Sequence, residues 1–315
     1  MFDTIKLKAN NIYIDDSVFE KLVDKVESIT YLDRTTGEIN VVYKLKDEKI
    51  PYLVYNSRSL ILSLQLSIPK FLFGNNIQMV GQEDVANFFK KLRNHLYNLL
   101  HIDVDPSEWT ITSRVDVCWN FQVGSNVSDY IMQLAKRRMP YKNTNVYNHN
   151  ETVIFGNKSS RIMFYDKAKQ CINDKESNDT IKQAEGILRL EVSPSDADIR
   201  KFSPKKRAVE LLTREFFEHI TKPILEGITF QNIDNELTLD WLKQQKSISN
   251  AETILGFRMI SETFGEFVLK ELYSPKTLQS RKHMIEQLQF PRANNLMELE
   301  IDFPKQVVNG AVFNL

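Results

Sequence analysis

The sequence is poor in the features that mark a disulfide scaffold, a zinc module, a membrane span or a nucleotide-driven motor. It has two cysteines in 315 residues, Cys118 and Cys171. They stand in no metal or redox spacing, so a disulfide framework is excluded and a reduced, intracellular setting is predicted. There is no Cys-x-x-Cys pair and no His-Glu-x-x-His. The five histidines (His95, His101, His149, His219, His283) are scattered, which argues against structural zinc and zincin chemistry. Any metal would be held mainly by oxygen, which points to magnesium or manganese. No glycine-rich phosphate loop occurs. No run approaches the ~18 apolar residues of a membrane span, and the opening Met-Phe-Asp-Thr-Ile-Lys lacks an apolar signal core. A cytoplasmic protein with no membrane partner is predicted.

Charge of one sign is missing as well. Lys and Arg number 41 and so do Asp and Glu, for a net charge of zero. A general nucleic-acid binder usually carries a basic excess, but a locally basic groove is still allowed. Basic runs occur at Lys136-Arg137-Arg138, Lys205-Lys206-Arg207 and Arg281-Lys282. Taken singly, each reads most simply as a solvated face.

What is present is an ordinary globular balance, 42% hydrophobic and 26% charged, on a chain long enough to bury a core without staples. Val41–Tyr43, Tyr52–Tyr55 and the alternating Leu60–Leu66 read as strands. A turn at Pro69 and Gly74-Asn75-Asn76 follows. Val85, Phe88, Phe89, Leu92, Leu96, Leu99 and Leu100 lie at helical spacing over 82–100. Residues 109–118 form a strand, and Ser128 or Asp129 is a candidate cap for a helix to about Arg138. Thr152–Phe155 and Arg161–Tyr165 form a hairpin. Residues 172–185 lack periodicity and read as an exposed loop. Ile187–Val192 is a strand, and a helix runs from Pro204 to about Ile220. Beyond 222 the pattern is helical over 237–245, 251–263, 264–272 and 275–288, with an extended tail from Pro291. The prediction is an α+β fold, an antiparallel-rich sheet with helices on one face. Leu-Gln-Leu-Ser-Ile-Pro (64–69) and Leu-Glu-Val-Ser-Pro (190–194) echo each other, which leaves a pseudo-duplication open. An α+β domain over 1–222 and a small helical region over 223–315 are expected.

Polar groups sit where buried strands avoid them. Arg114-Val115-Asp116 and Arg189-Leu190-Glu191 each place a base and an acid two residues apart, on one strand face. If the two strands are neighbours, Asp116 and Glu191 can converge, and two carboxylates with water suit magnesium. The plainer reading is that each arginine neutralises its own acid on a solvated face. Tyr165, in Phe164-Tyr165-Asp166-Lys167, is on its own most simply a packed ring.

Three runs carry a resemblance. Ser-Arg-Val-Asp-Val-Cys-Trp-Asn-Phe (113–121) resembles the Thr-Arg-Leu-Asp strand of the rolling-circle plasmid initiators of the Rep_trans family. Residues 151–169, through Gly156, Ser159, Arg161 and Tyr-Asp-Lys, resemble that family's hairpin. Leu-Arg-Leu-Glu-Val (188–192) is similar to its Arg-Val-Glu strand. The three stand in the family's order. Ser-Ile-Pro-Lys-Phe-Leu-Phe-Gly-Asn-Asn (67–76) is more similar to filamentous-phage gene II/X replication proteins. The likeness covers roughly residues 1–220.

The resemblance implies a strand-specific nickase that starts rolling-circle replication by metal-dependent transesterification. It makes Tyr165 the nucleophile and Asp116 and Glu191 ligands of Mg2+ or Mn2+, with Lys167 on the phosphate charge. Where the family often has a second acid, this chain has Asn120, a weaker carbonyl ligand. The product is a 5′-phosphotyrosine with a free 3′-OH. The implied partners are single- and double-stranded origin DNA, a host helicase and a polymerase, with a homodimer left open. Arg137, Arg138, Lys142, Arg161, Arg281 and Lys282 are the candidate DNA contacts. Trp119, Tyr141 and Tyr147 are candidate stacking rings, the two tyrosines also being rival nucleophiles. Residues 262–288 allow two readings, a helix-turn-helix-like reader of duplex DNA built on Ser280, Arg281, Lys282 and His283, or simple helical packing against the α+β core. The alternatives are a catalytically silent DNA-binding protein of the same fold and an interaction protein with ordinary Arg–acid pairs.

Overall fold

The computed structural model describes residues 1–148, 151–228, 230, 241–244, 247–286, 296–303, 305–308 and 311–314. The fold is mixed α and β, and every strand pair with a defined register is antiparallel. The chain divides into two compact units, each built from separated segments. One comprises Met1–Trp119, Glu191–Ile220 and Pro304–Leu315, the other Asn120–Leu190 and Thr221–Phe303. These boundaries differ from the 1–222 and 223–315 division expected from the sequence.

In the first unit the strands of the large sheet are β1 (Phe2–Ala9), β2 (Val26–Leu32), β3 (Ile39–Leu45), β4 (Tyr52–Asn56), β5 (Ile61–Ser67), most of β6 (Thr110–Gln122) and the end of β10 (Ile187–Ser193), with the short helix α1 (Asp16–Glu20) between β1 and β2. Their order is β2-β3-β4-β5-β1-β6-β10. Strand β5 shows why the pattern folds this way. Leu62, Leu64 and Leu66 are buried while Ile61, Ser63, Gln65 and Ser67 are half-exposed, as the two-residue side-chain period requires. Pro69 does not make a turn here. It sits in the first turn of helix α2 (Ile68–Phe73), where its missing N–H costs nothing; Ser67 caps that helix and Gly74 ends it at φ 79°. Helix α3 (Gln82–Leu100) buries Val85, Phe88, Phe89, Leu92, Leu96 and Leu100, the predicted stripe. Helix α2 packs on β1 and β5 and against α3, with Phe71 and Phe88 edge-to-face at 5.8 Å. Full burial of side chains this size is worth about 1.5–3 kcal/mol each, so this stripe anchors the helical layer.

The helix expected from Pro204 to about Ile220 is instead two pieces, α8 (Ala208–Leu211) and α9 (Arg214–Glu226), and a separate helix α7 (Asp196–Phe202) precedes them. A Ser195–Asp198 capping box starts α7. Lys206, at φ 52°, bends the chain between α7 and α8, its ammonium held by the Thr112 carbonyl and Asp196, each at 2.8 Å.

The second unit holds the end of β6, α4 (Val127–Ala135), β7 (Asn143–Tyr147), β8 (Thr152–Gly156), β9 (Arg161–Asp166), α5 (Lys167–Asn173), α6 (Asn178–Ala184) and the start of β10. The strand order is β10-β9-β8-β7, and α4 packs on β7, β8 and β9. Helix α4 starts from a 3-10 turn at Gly124–Asn126 without a side-chain cap, so neither Ser128 nor Asp129 begins it. The stretch 172–185, expected to be a loop, is largely helical. Asp166 caps α5 and Ser177 caps α6 by accepting backbone N–H bonds, signals that need no apolar period. At Gly186 (φ 73°) the carbonyl accepts from the N–H of Val123 and Gly124 at 2.9 and 3.1 Å. A Cβ there would lie 2.9 Å from the Cα of Gly124.

Helices Ile248–Phe264, Glu266–Leu272 and Pro275–Glu286 follow. They share a small core of Phe257, Leu269 and Leu278, with Ile260, Tyr273 and Ile285 against it. Most of the helix expected over 237–245, and residues 287–295, lie outside the described residues. Lys305–Val308 and Ala311–Asn314 pair as strands β11 and β12.

Candidate active site

The first unit carries a polar row inside an apolar sheet. Asp116 lies on β6 between the buried Val115 and Val117 and is itself 0% exposed. Its Oδ2 accepts from Arg114 at 2.5 Å, and its Oδ1 accepts from the hydroxyl of Ser193 on β10 at 2.6 Å. Burial pushes its pKa up; the Ser193 bond and Arg114 pull it down, and the charge of Asp3 adds to the rise. Asp3, on β1, is 6% exposed and accepts from Ser67 on β5 at 2.7 Å. Phe2 pairs with Val117 across β1 and β6, which sets Asp3 beside Asp116. Ser67, Asp3, Asp116 and Ser193 thus span β5, β1, β6 and β10.

This arrangement gives the sequence echo a structural meaning. Ser67 and Ser193 are the matching serines of the two similar stretches, and each donates to an acid on the neighbouring strand. The residue Asp116 bonds on β10 is Ser193. Glu191, 8% exposed, lies two residues back on the same strand face, about 7 Å along the strand. Asp3, Ser67 and Ser193 were not among the residues singled out from the sequence. The signal was there, in an acid next to the first apolar residue of the alternating stretch at 2–9 and in the serine shared by both echoes.

The second unit holds the tyrosine. Tyr165 pairs with Thr152 across the hairpin and is 7% exposed. Strand β9 ends at Asp166, whose carboxylate accepts from the N–H of Lys169 at 3.1 Å and caps α5. Lys167 is the first residue of that helix, so helix geometry and not strand alternation sets its direction. It is 0% exposed, and its ammonium donates to Gln170 at 2.6 Å. Asn120 accepts from the buried Arg189 at 3.1 Å. The Tyr-Asp-Lys motif is therefore a strand end, a cap and a helix start.

The candidate DNA contacts divide by exposure. Arg137, expected on the surface, is 3% exposed. It donates to the carbonyl of Ser261 at 2.6 Å, and burial holds its pKa down to about 10. It packs two helical segments together and presents no charge to solvent. Arg138 is exposed, 5.9 Å from the centre of the Phe264 ring. Lys142 donates to Ser160, Arg161 is half-buried at the start of β9, and Arg281 is half-buried on its helix. Lys282 donates to Glu266 at 2.7 Å. Tyr141 is 95% exposed and Tyr147, on β7, 49%. Trp119, in the first unit, packs against Phe217 at 5.7 Å.

Asp116 and Glu191 offer the hard oxygens that magnesium and manganese prefer. Both oxygens of Asp116 are already engaged, however, and among the described residues no group of three or more His, Cys, Asp and Glu side chains is placed to hold a metal ion. As arranged, these residues form a hydrogen-bonded ion-pair row. Among the described residues no helix is long and apolar enough to cross a membrane. The chain matches no family model and no curated protein.

Proposed function

We propose that the protein is a replication initiator that nicks one strand of origin DNA through Tyr165. The observation that carries this reading is the junction of β9 and α5. A tyrosine stands one residue before the end of a strand, Asp166 ends the strand and caps the helix, and the fully buried Lys167 lies two residues on from the tyrosine. In the reaction the Tyr165 hydroxyl loses its proton and attacks a DNA phosphorus. A P–Oη bond forms, the P–O3′ bond breaks, and the departing 3′ oxygen takes up a proton. The 5′-phosphotyrosine keeps one phosphodiester for another, so rejoining needs no ATP, and the 3′-OH primes a polymerase. A positive group such as Lys167 stabilises charge on the phosphoryl oxygens. With 7% of Tyr165 exposed, attack requires DNA binding to open the strand end.

A second reading is favoured by one observation, the saturation of Asp116 by Arg114 and Ser193. On that reading the chain binds origin DNA without cutting it. One assay separates the two. Supercoiled plasmid carrying the DNA that flanks the coding sequence is incubated with wild type and Tyr165→Phe, in magnesium or manganese and again with EDTA. Nicking and a 5′-linked adduct, both lost in Tyr165→Phe, support the nickase, and the EDTA arm decides the metal requirement. An adduct that persists in the variant moves the nucleophile to Tyr141 or Tyr147. Specific binding by wild type without nicking supports the silent reading.

A further inference from the structure

We propose that residues 296–303 form a detachable strap, which closes an aromatic site beside α4 and is displaced when single-stranded DNA binds. The inference concerns the regulation of the initiator proposed above and rests on that reading. The segment Leu-Met-Glu-Leu-Glu-Ile-Asp-Phe has neither helix nor strand. Its acids Glu298, Glu300 and Asp302 are exposed, and of its residues Leu299 alone is buried. Tyr130 of α4 clasps it. The Tyr130 hydroxyl donates to the Met297 carbonyl at 2.8 Å and accepts from the Met297 N–H at 2.9 Å. Phe230 stands edge-to-face to the Tyr130 ring at 4.8 Å, and its N–H donates to Glu298 at 3.2 Å. Tyr130 and Phe230 are 3% and 4% exposed. The strap thus lies on two aromatic residues and bonds both.

This attachment suits release. The Met297 side chain is 77% exposed, so the clasp is made through backbone, and hydrogen bonds of this kind exchange for bonds to solvent at small net cost. Charge selects the displacing ligand. The buried Arg137, Arg258 and Glu262 carry one more positive than negative charge. The exposed Lys136 and Arg138 add to that excess, and Asp129 on α4 offsets part of it. The three acids of the strap outweigh what is left, and Glu298 acts electrostatically on Arg137. Departure of the strap turns the local balance from negative to positive, which favours a polyanion. It also takes away the partners of Tyr130 and Phe230, rings of the type on which unpaired bases stack. A single strand offers such bases, and a duplex does not.

The test uses the full chain with oligothymidine as the probe. Three proteins are compared: wild type, Tyr130→Phe, which removes both bonds of the clasp, and Glu300→Gln/Asp302→Asn, which removes charge from the exposed side of the strap. Amide hydrogen exchange is followed at Met297, affinity is read by fluorescence anisotropy, and melting temperature controls for folding. In wild type, oligothymidine is expected to speed exchange at Met297. Because the strand binds only the open fraction, Tyr130→Phe is expected to bind it about threefold to tenfold more tightly. The charge variant is expected to bind more tightly at low salt, with the gain fading at high salt. Met297 exchange that does not change on saturation with oligothymidine overturns the inference, and so does wild-type affinity in both variants. Absence of oligothymidine binding by all three proteins overturns it as well. If Tyr130→Phe does not fold, the charge variant and the exchange in wild type still decide. Release of the strap without any 5′-linked adduct on plasmid would remove the nickase and leave the strap standing. Nicking through Tyr165 with Met297 exchange unmoved would do the reverse.

Discussion

Glu262 offers the sharpest test of how the second unit is held together. Its carboxylate accepts from Arg258 at 2.6 Å, and the two side chains are 10% and 4% exposed. Arg137 also acts on it electrostatically, and the net effect of burial is to push the Glu262 pKa up in spite of both arginines. Two substitutions separate charge from shape. Glu262→Ala removes the acceptor and leaves the Arg258 guanidinium buried against a void. Breaking a buried pair from one side costs about 3–5 kcal/mol, a fall in melting temperature of roughly 6–20 °C at about 2–4 °C per kcal/mol. Glu262→Gln keeps an acceptor oxygen and the volume. It gives up ionic attraction but also the desolvation cost that raises the pKa, so its net effect is expected to stay within about 1 kcal/mol.

The pH dependence gives an independent check. A carboxyl whose folded pKa is raised holds its proton more tightly in the native state. Its contribution to stability is complete below the ordinary value and is lost as pH rises through the folded one. The stability of wild type relative to Glu262→Gln should therefore decline with rising pH across that window. Urea unfolding from mildly acid to mildly basic pH measures it. If Glu262→Gln is as damaging as Glu262→Ala, or if the difference rises with pH, then charge pairing outweighs burial and the reasoning fails.

Asp166→Ala removes the cap of α5 and should cost about 1 kcal/mol, read as a lower urea midpoint at unchanged slope. Asp166→Asn should recover most of that, because an amide oxygen can also cap. Gly186→Ala forces a side chain at φ 73° against the Gly124 backbone. It should destabilise by about 2 kcal/mol or more, and a variant as stable as wild type would show that this approach is not tight. Because both Asp116 oxygens are engaged, magnesium without DNA should leave the melting temperature unchanged. A concentration-dependent rise that disappears in Asp116→Asn would mean that the ion displaces Arg114.

Legibility followed periodicity. Helix α3 and the hairpin of β8 and β9 could be read because their apolar residues repeat at 3.6 and 2. Helices α5 and α6 could not, since each is about two turns long and rests on a capping acid or serine with almost no buried stripe. Arg137 looked like part of a solvated run because burial of a single cation depends on what packs over it, here the backbone of Ser261. Asp116 and Glu191 stood out as acids in apolar strands. The hydroxyls of Ser67 and Ser193 did not, because a serine near a strand end is commonplace until the strand order shows which acid it meets. Asp3 was hidden for the same reason, since the β1–β6 pairing joins residues more than a hundred positions apart.

The interleaved make-up of the two units bears on biosynthesis. The first unit lacks Glu191–Ile220 until the whole of Asn120–Leu190 has left the ribosome. At roughly 5–20 residues per second that gap lasts several seconds, during which β6 lacks its neighbour β10 and Asp116 has no Ser193 to bond. The second unit waits in turn for the segment beginning at Thr221. Neither can finish folding as an amino-terminal fragment. A nascent chain stalled or truncated near residue 190 would expose the edge of β6, and would be expected to depend on chaperones in a way that the completed chain does not.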